Sequence, residues 1–306
     1  MKRMIVVGSL VAVGFLACAQ KQEVKSPPNV ETNVCTPDHC PVEKHPTSGT
    51  VKVESAFSVS SEKPACPNDM VFVSGEYCSK PNHDLPQYDQ TGTGDPTCEK
   101  WKEKPCNKGG TLPSCKFARC LKYKPSSQIC LGKQSHKAFC IDRDEGGSDG
   151  VSTPIHDVNY YQAVAECSKR GKRLCNESEW IFSCEGPNNN PYSTGLDRPD
   201  GVCNLDIEKG LAKGSELADL GKPSSSFPAC MSWAGVREMT GNYDELTVRD
   251  VSPAPSSSKE MGSHHNALHS GWWGPIRGRC IPATTGHDDY FHETQISFRC
   301  CSNPNQ

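Results

Sequence analysis

Beyond its first seventeen residues this 306-residue chain has no long apolar run, few aromatic residues (7%) and only 35% hydrophobic residues overall. It also lacks an excess of either charge, with 33 basic against 36 acidic side chains. The missing long run excludes membrane-spanning helices after the leader. Charge balance removes the electrostatic case for a nucleic-acid partner. Thin apolar content means that burial alone has little to offset chain entropy. No nucleophile elbow, phosphate loop, zinc-protease helix or internal repeat is present, and the ten histidines do not form a metal tract. Cysteine, by contrast, is abundant. Cys18 closes the leader and the other 18 of the 19 follow it, an even number dense enough to require an oxidising compartment.

Lys2 and Arg3 precede the apolar run from Met4 to Ala17, a secretory leader over residues 1–18. Its end, Phe15-Leu16-Ala17-Cys18, resembles a bacterial lipobox, in which the cysteine becomes the lipidated first residue. An ordinary signal peptide with a chance cysteine is the alternative. Acyl chains on Cys18, at ~0.8 kcal/mol per buried methylene, would anchor the chain stably without a transmembrane helix. The expected location is therefore the bacterial cell envelope, at the outer membrane. Residues 19–64, rich in Lys, Glu, Pro, Ser and Thr, read as a disordered stalk.

One mixed domain is expected over 65–303, with a cysteine-rich insertion at 78–135 that lacks a core of its own and is ordered by cross-links. Met70 to Val73 reads as a strand running into a turn at Ser74-Gly75, and Lys137 to Asp142 as a second strand. From Asn159 the spacing of Tyr161, Val164, Ala165 and Cys167 or Ser168 predicts a helix stopped at Gly171. Asn176 with Glu179 three residues on predicts a capping box for a second short helix through Cys184.

Six pieces, in order, resemble the sulfatase-modifying-factor family, whose best-known member is the formylglycine-generating enzyme. They are Met70-Val71-Phe72-Val73; Phe139-Cys140-Ile141-Asp142 ahead of Pro154 and Asp157-Val158-Asn159; Gly171-Lys172-Arg173-Leu174 with Glu177, Glu179 and Trp180; Glu238-Met239-Thr240-Gly241-Asn242 with Glu245; Gly271-Trp272-Trp273 with Arg277 and Arg279-Cys280; and Ser297-Phe298-Arg299-Cys300. The extra cysteines and the Cys300-Cys301 ending are similar, more narrowly, to cysteine-rich lipoproteins of this family from deltaproteobacteria. The resemblance implies a loop-rich α+β domain of the formylglycine-generating-enzyme and C-type-lectin-like fold with multiple disulfides. It implies the bridges Cys167 to Cys300 and Cys184 to Cys280, with Cys301 open as a substitute for Cys300. Proximity of Cys203 and Cys230 is a further guess.

The family's structural calcium implies ligands at Glu238, Gly241, Tyr243 and Glu245, a hard-oxygen set of carboxylates and carbonyls. A capped turn with solvated carboxylates is the alternative there. A second family site would map to Asn204, Leu205, Glu216 and Ala218. The enzyme's copper(I) is held by two thiolates, and those positions fall here near Gly274 and Pro275, which cannot ligate; copper is therefore not expected and no catalytic residue is assigned. Two functions follow from different classes. One is a non-catalytic lipoprotein domain that presents a patch of Trp272, Trp273, His287 and Asp288, beside Tyr290 and Phe291, to a protein or glycan ligand. In the alternative to that patch, Trp272 and Trp273 belong to the core. The other function is a formylglycine-generating-type oxidoreductase acting on a cysteine of an exported protein, using Cys300-Cys301 as a redox pair or an additional metal site. His269, His287 and Asp288 could hold such a metal only if the fold brings them together.

Overall fold

The computed structural model describes residues 66–84, 95–101, 119–205, 220–250, 264–271 and 278–304, all within a compact unit that runs from Ser60 to Gln306. Cys18, residues 19–64 expected as a stalk, Trp272, Trp273, Glu216 and Ala218 lie outside the described residues. No helix among those described is long and apolar enough to cross a membrane.

Two four-stranded sheets and two short helices carry the core. The first sheet has the order β1 (Met70–Cys78), β4 (Gln134–Asp142), β10 (Cys300–Ser302), β5 (Arg173–Leu174). The second has the order β8 (Ala283–Thr284), β7 (Asn266–Ser270), β6 (Asp244–Val248), β9 (Ile296–Phe298), with β6 and β9 parallel and the other pairs antiparallel. Strands β9 and β10 are separated by a single residue, so the backbone passes from one sheet to the other at Arg299.

The expected turn at Ser74-Gly75 is a continuation of β1 instead, paired with β4 as far as Cys78. Gly75 is there for packing, since a Cβ at that point would sit 3.1 Å from the Phe182 ring. Helix α1 (Tyr160–Lys169) opens on a reciprocal Asn159–Gln162 capping box and ends at Gly171, whose φ of 67° lets the chain turn out of the helix. Helix α2 (Glu177–Glu185) follows, and Glu179 accepts the Asn176 N–H at 2.9 Å as the capping pattern requires. Val73, Phe139, Ile141, Trp180, Phe182 and Met239 pack one core cluster, while Ala163, Leu174, Leu246, Leu268, Ile296 and Phe298 pack another.

Every described cysteine is bridged. Cys167–Cys300 and Cys184–Cys280 span 133 and 96 residues of sequence, and Cys203–Cys230 closes the intervening loop region. Cys301 pairs with Cys175 rather than replacing Cys300. Because neighbouring side chains of a strand point to opposite faces, Cys300 reaches α1 on one side and Cys301 reaches the end of β5 on the other. By the chain-entropy model each of the two longest loops stabilises the fold by about 4 to 5 kcal/mol.

In the insertion, Cys98–Cys120 joins β2 (Cys98–Trp101) to β3 (Cys120–Tyr123) and Cys78–Cys130 ties its C-terminal part to the end of β1, while Cys66–Cys140 fastens the segment before β1 to β4. The described part of the insertion also packs apolar side chains against the rest of the domain. Tyr123 meets Tyr192 edge to face at 5.7 Å, and both are fully buried.

Candidate functional site

The residues at the seam between the two sheets are polar and fully enclosed. Arg299 has no solvent exposure. Its guanidinium forms a two-point pair with Glu245, Nε to Oε2 at 2.9 Å and Nη2 to Oε1 at 2.7 Å, and also donates to the carbonyls of Asp142, Arg143 and Arg237. Trp180 Nε1 donates to Glu245 Oε2 at 2.8 Å. Burial works against the charge of Arg299, but Glu245 outweighs it and holds the guanidinium above its ordinary pKa.

Two further carboxylates share this seam. Glu238, at a positive φ of 58°, is fully buried, and neither of its carboxylate oxygens has a hydrogen-bond partner. Burial pushes its pKa up to about 9; Arg299 opposes that rise, and Asp144 and Glu245 add to it. Glu145 accepts from Asn242 Nδ2 through one oxygen, and its other oxygen has no partner. Burial first and Glu245 second raise Glu145 well above the carboxylate range. Asn242 is fixed in turn by Asn204 Nδ2 at 2.8 Å and the Lys222 N–H at 2.9 Å.

The four residues implied as calcium ligands therefore occupy one loop and the strand it feeds, but not equivalently. Glu238 carries two orphaned buried oxygens, the signature of an acceptor that lacks its cation or proton. Glu245 has both oxygens engaged by Arg299 and Trp180, so its carboxylate cannot ligate without stripping a buried arginine. The Gly241 carbonyl accepts from Ser270 Oγ at 2.9 Å, and Tyr243 is buried with its ring stacked on His156 at 4.9 Å. Among the described residues no group of three or more His, Cys, Asp and Glu side chains is arranged to hold a metal ion.

His269, His287 and Asp288 do not converge. His269 is fully buried, stacked on Trp180 at 4.8 Å with Nε2 3.4 Å from Glu177. His287 lies against the Phe291 ring at 3.7 Å, beside the exposed Asp288. All five residues of β7 are buried, so no inside–outside alternation in the sequence marked His269 as interior.

Sequence reasoning also missed a buried pair far from the seam. His83 Nε2 stands 3.0 Å from Glu185 Oε1 with essentially no exposure on either side chain. Burial lowers His83 to about 3, with Arg279 reinforcing the shift, and burial raises Glu185 well above the usual carboxylate range. Both directions favour uncharged partners.

At the surface, the tip of α1, the start of β7 and the 286–293 loop meet. Tyr161 and Tyr290 form a tilted ring pair at 5.0 Å, and Tyr160 touches Tyr161 edge to face at 5.6 Å and stacks on His265 at 6.0 Å. An open hollow of about 460 Å³ adjoins them, lined by His287, Asp288, Tyr290 and Phe291 among others. The residues of the expected ligand patch that are described, His287 and Asp288, are thus at this hollow.

No protein-family model matches the chain. A formylglycine-generating enzyme from Mycobacterium tuberculosis (strain ATCC 25618 / H37Rv) is 29% identical over 116 residues, 36% of this chain and 38% of that enzyme. The matched region therefore spans well under half the length of that curated relative. Among solved structures, CarF is similar at 16% identity and a TM-score of 0.42, over 56% of this chain and 88% of that one. PvdO from Pseudomonas aeruginosa is similar at 17% identity and a TM-score of 0.40, over 59% and 86%. Variable protein 1 of Treponema denticola is similar at 15% identity and a TM-score of 0.39, over 57% and 89%. The chain's own architecture is α+β, loop-rich and disulfide-linked.

Proposed function

We propose, on the premise that this is a formylglycine-generating-enzyme-like domain of the sulfatase-modifying-factor-like kind, that it serves as a non-catalytic binding module of an exported lipoprotein. Acyl chains on Cys18 tether it to the bacterial outer membrane, the 19–64 stalk holds it off that surface, and its partner is a protein or a glycan rather than a nucleic acid. One observation carries the non-catalytic part: all the described cysteines are consumed in bridges, Cys300 and Cys301 in two separate ones. The redox pair that an oxidase reading would draw from those two residues is thereby committed to structure. The positions that would correspond to the copper-binding thiolates fall near Gly274 and Pro275, which offer no soft ligand.

A structural calcium ion remains part of the proposal in a narrower form. Glu238 fits such an ion, since its orphaned oxygens need a cation or a proton, and the carbonyls of Gly241 and Tyr243 lie on the same loop. Glu245 acts instead on Arg299. Calcium would supply rigidity there and no chemistry.

The test combines three measurements on the full exported chain. Thiol titration of the folded protein should find no reactive pair among the domain cysteines, copper(I) should be surrendered completely to a competing chelator, and a peptide substrate cysteine should not be converted to an aldehyde. Aldehyde formation with retained copper would overturn the non-catalytic reading. A melting temperature unmoved by millimolar calcium or by its removal would overturn the calcium part alone.

A further inference from the structure

We infer that the surface formed by Tyr161, Tyr290 and Asp288 binds a neutral saccharide, with one face of a pyranose ring laid on the tyrosine pair and its hydroxyls directed to the adjoining hollow. This rests on the reading of the domain as a binding module and adds the chemistry of the ligand.

Tyr161 is 46% exposed and Tyr290 is 70% exposed, so two large rings are kept in water side by side rather than packed away. Exposed hydrophobic residues scattered singly need no explanation, whereas a grouped aromatic surface marks a recognition site. The rings are not mobile ornaments of one loop. The Tyr160 N–H donates to the Asp289 carbonyl at 3.2 Å, which fastens the tip of α1 to the 286–293 loop. The Asp289 carboxylate, itself 5% exposed, accepts from the His265 N–H, the His265 ring Nδ1 and Asn266 Nδ2, each at 2.8 Å. Three segments distant in sequence are thus locked around one buried carboxylate, which places Tyr161 and Tyr290 before any ligand arrives. Such preorganisation lowers the entropic cost of binding.

The lining sets the ligand class. Asp288 receives the Tyr290 N–H through Oδ1 at 2.9 Å, and both Asp288 and Glu293 line the hollow. Among the described residues no lysine or arginine lines that hollow, which holds two carboxylates and two histidines, so an anionic ligand would meet Asp288 and Glu293 without a permanent cation. Carboxylates beside exposed rings suit a ligand with hydroxyl donors and an apolar face, and a neutral hexopyranose has both. The hollow of about 460 Å³ is within the range of small-ligand sites. A peptide that docks by strand addition would need backbone partners from a strand edge, and none of residues 286–293 is in a strand.

Calorimetric titration of the oxidised protein with cellohexaose, chitohexaose and mannohexaose tests the inference, with hexagalacturonate as the anionic comparison. At least one neutral oligomer should bind, and Tyr161→Ala/Tyr290→Ala should weaken it about tenfold or more. Unchanged circular dichroism would exclude unfolding of the variant, whose altered side chains are at the surface. Asp288→Asn, which keeps the ring pair, should weaken binding less. The inference is overturned if no neutral oligomer binds or if the double variant binds as well as the wild type. Selective binding of hexagalacturonate that disappears in the double variant would also overturn it, while leaving the binding-module reading standing. Formylglycine production without any saccharide binding would remove both.

Discussion

Replacing Arg299 by methionine removes the fully buried cation from the polar seam and leaves Glu245, among the described residues, with Trp180 as its remaining side-chain donor. Truncating one partner of a buried ion pair costs about 3 to 5 kcal/mol, because the surviving charge has neither water nor counter-charge. Here the upper half of that range is expected, since three carbonyl acceptors lose their donor along with Glu245. For a domain of this size about 4 kcal/mol corresponds to a fall in melting temperature of roughly 8 to 16 °C, a large share of the stability typical of folded domains. Calorimetry of the oxidised protein, repeated for Glu245→Leu and for the double variant Arg299→Met/Glu245→Leu, measures the coupling. The double variant should recover stability relative to Arg299→Met, since it leaves no uncompensated charge at that point. Strictly additive losses, or an Arg299→Met protein within 1 kcal/mol of the wild type, would refute the reasoning.

Cys184→Ala/Cys280→Ala opens a bridge that spans 96 residues, so chemical denaturation should show a loss of about 4 to 5 kcal/mol. The His83–Glu185 pair gives a dependence on pH with two signs. Histidine 83, lowered to about 3, stays neutral in the fold, so its contribution is full above the ordinary histidine pKa of about 6.5 and is lost as pH falls toward 3. Glu185, raised by burial, stays protonated, so its contribution is full below about pH 4.3 and is lost as pH rises above it. Stability followed from pH 3 to 8 should therefore fall less steeply on the acid side in His83→Phe than in the wild type, and an unchanged acid limb would disprove the neutral buried histidine.

What could be read from the sequence was local or covalent in kind. The capping box at Asn176 and Glu179 needs only neighbouring residues, and the helix stop at Gly171 follows from the conformational freedom of glycine. The bounds of β1 could not be read locally, because the role of Gly75 is decided by Phe182, more than a hundred residues away. The same distance problem hid the pairings of Cys66, Cys78, Cys98 and Cys175, since an even set of cysteines admits many connectivities. The burial of Glu238 and Glu145 was invisible for another reason: a carboxylate in a polar loop is ordinarily solvated, and only the assembled seam reverses that. The tyrosine surface was half legible. Tyr290 stood out among loop aromatics, whereas Tyr161 was absorbed into the amphipathic spacing of α1 even though its ring faces water.

The run Phe298-Arg299-Cys300-Cys301 has a consequence for how this lineage can vary. Each of these four consecutive side chains is committed to a different neighbour: an apolar cluster, a buried carboxylate, a helix and a strand end. Deleting or inserting one residue there would send all of them to wrong addresses at once. Length change must therefore accumulate elsewhere, in segments whose ends are already clamped by sulfur, and the exposed loops become the part of the molecule where evolution can experiment without unmaking the whole.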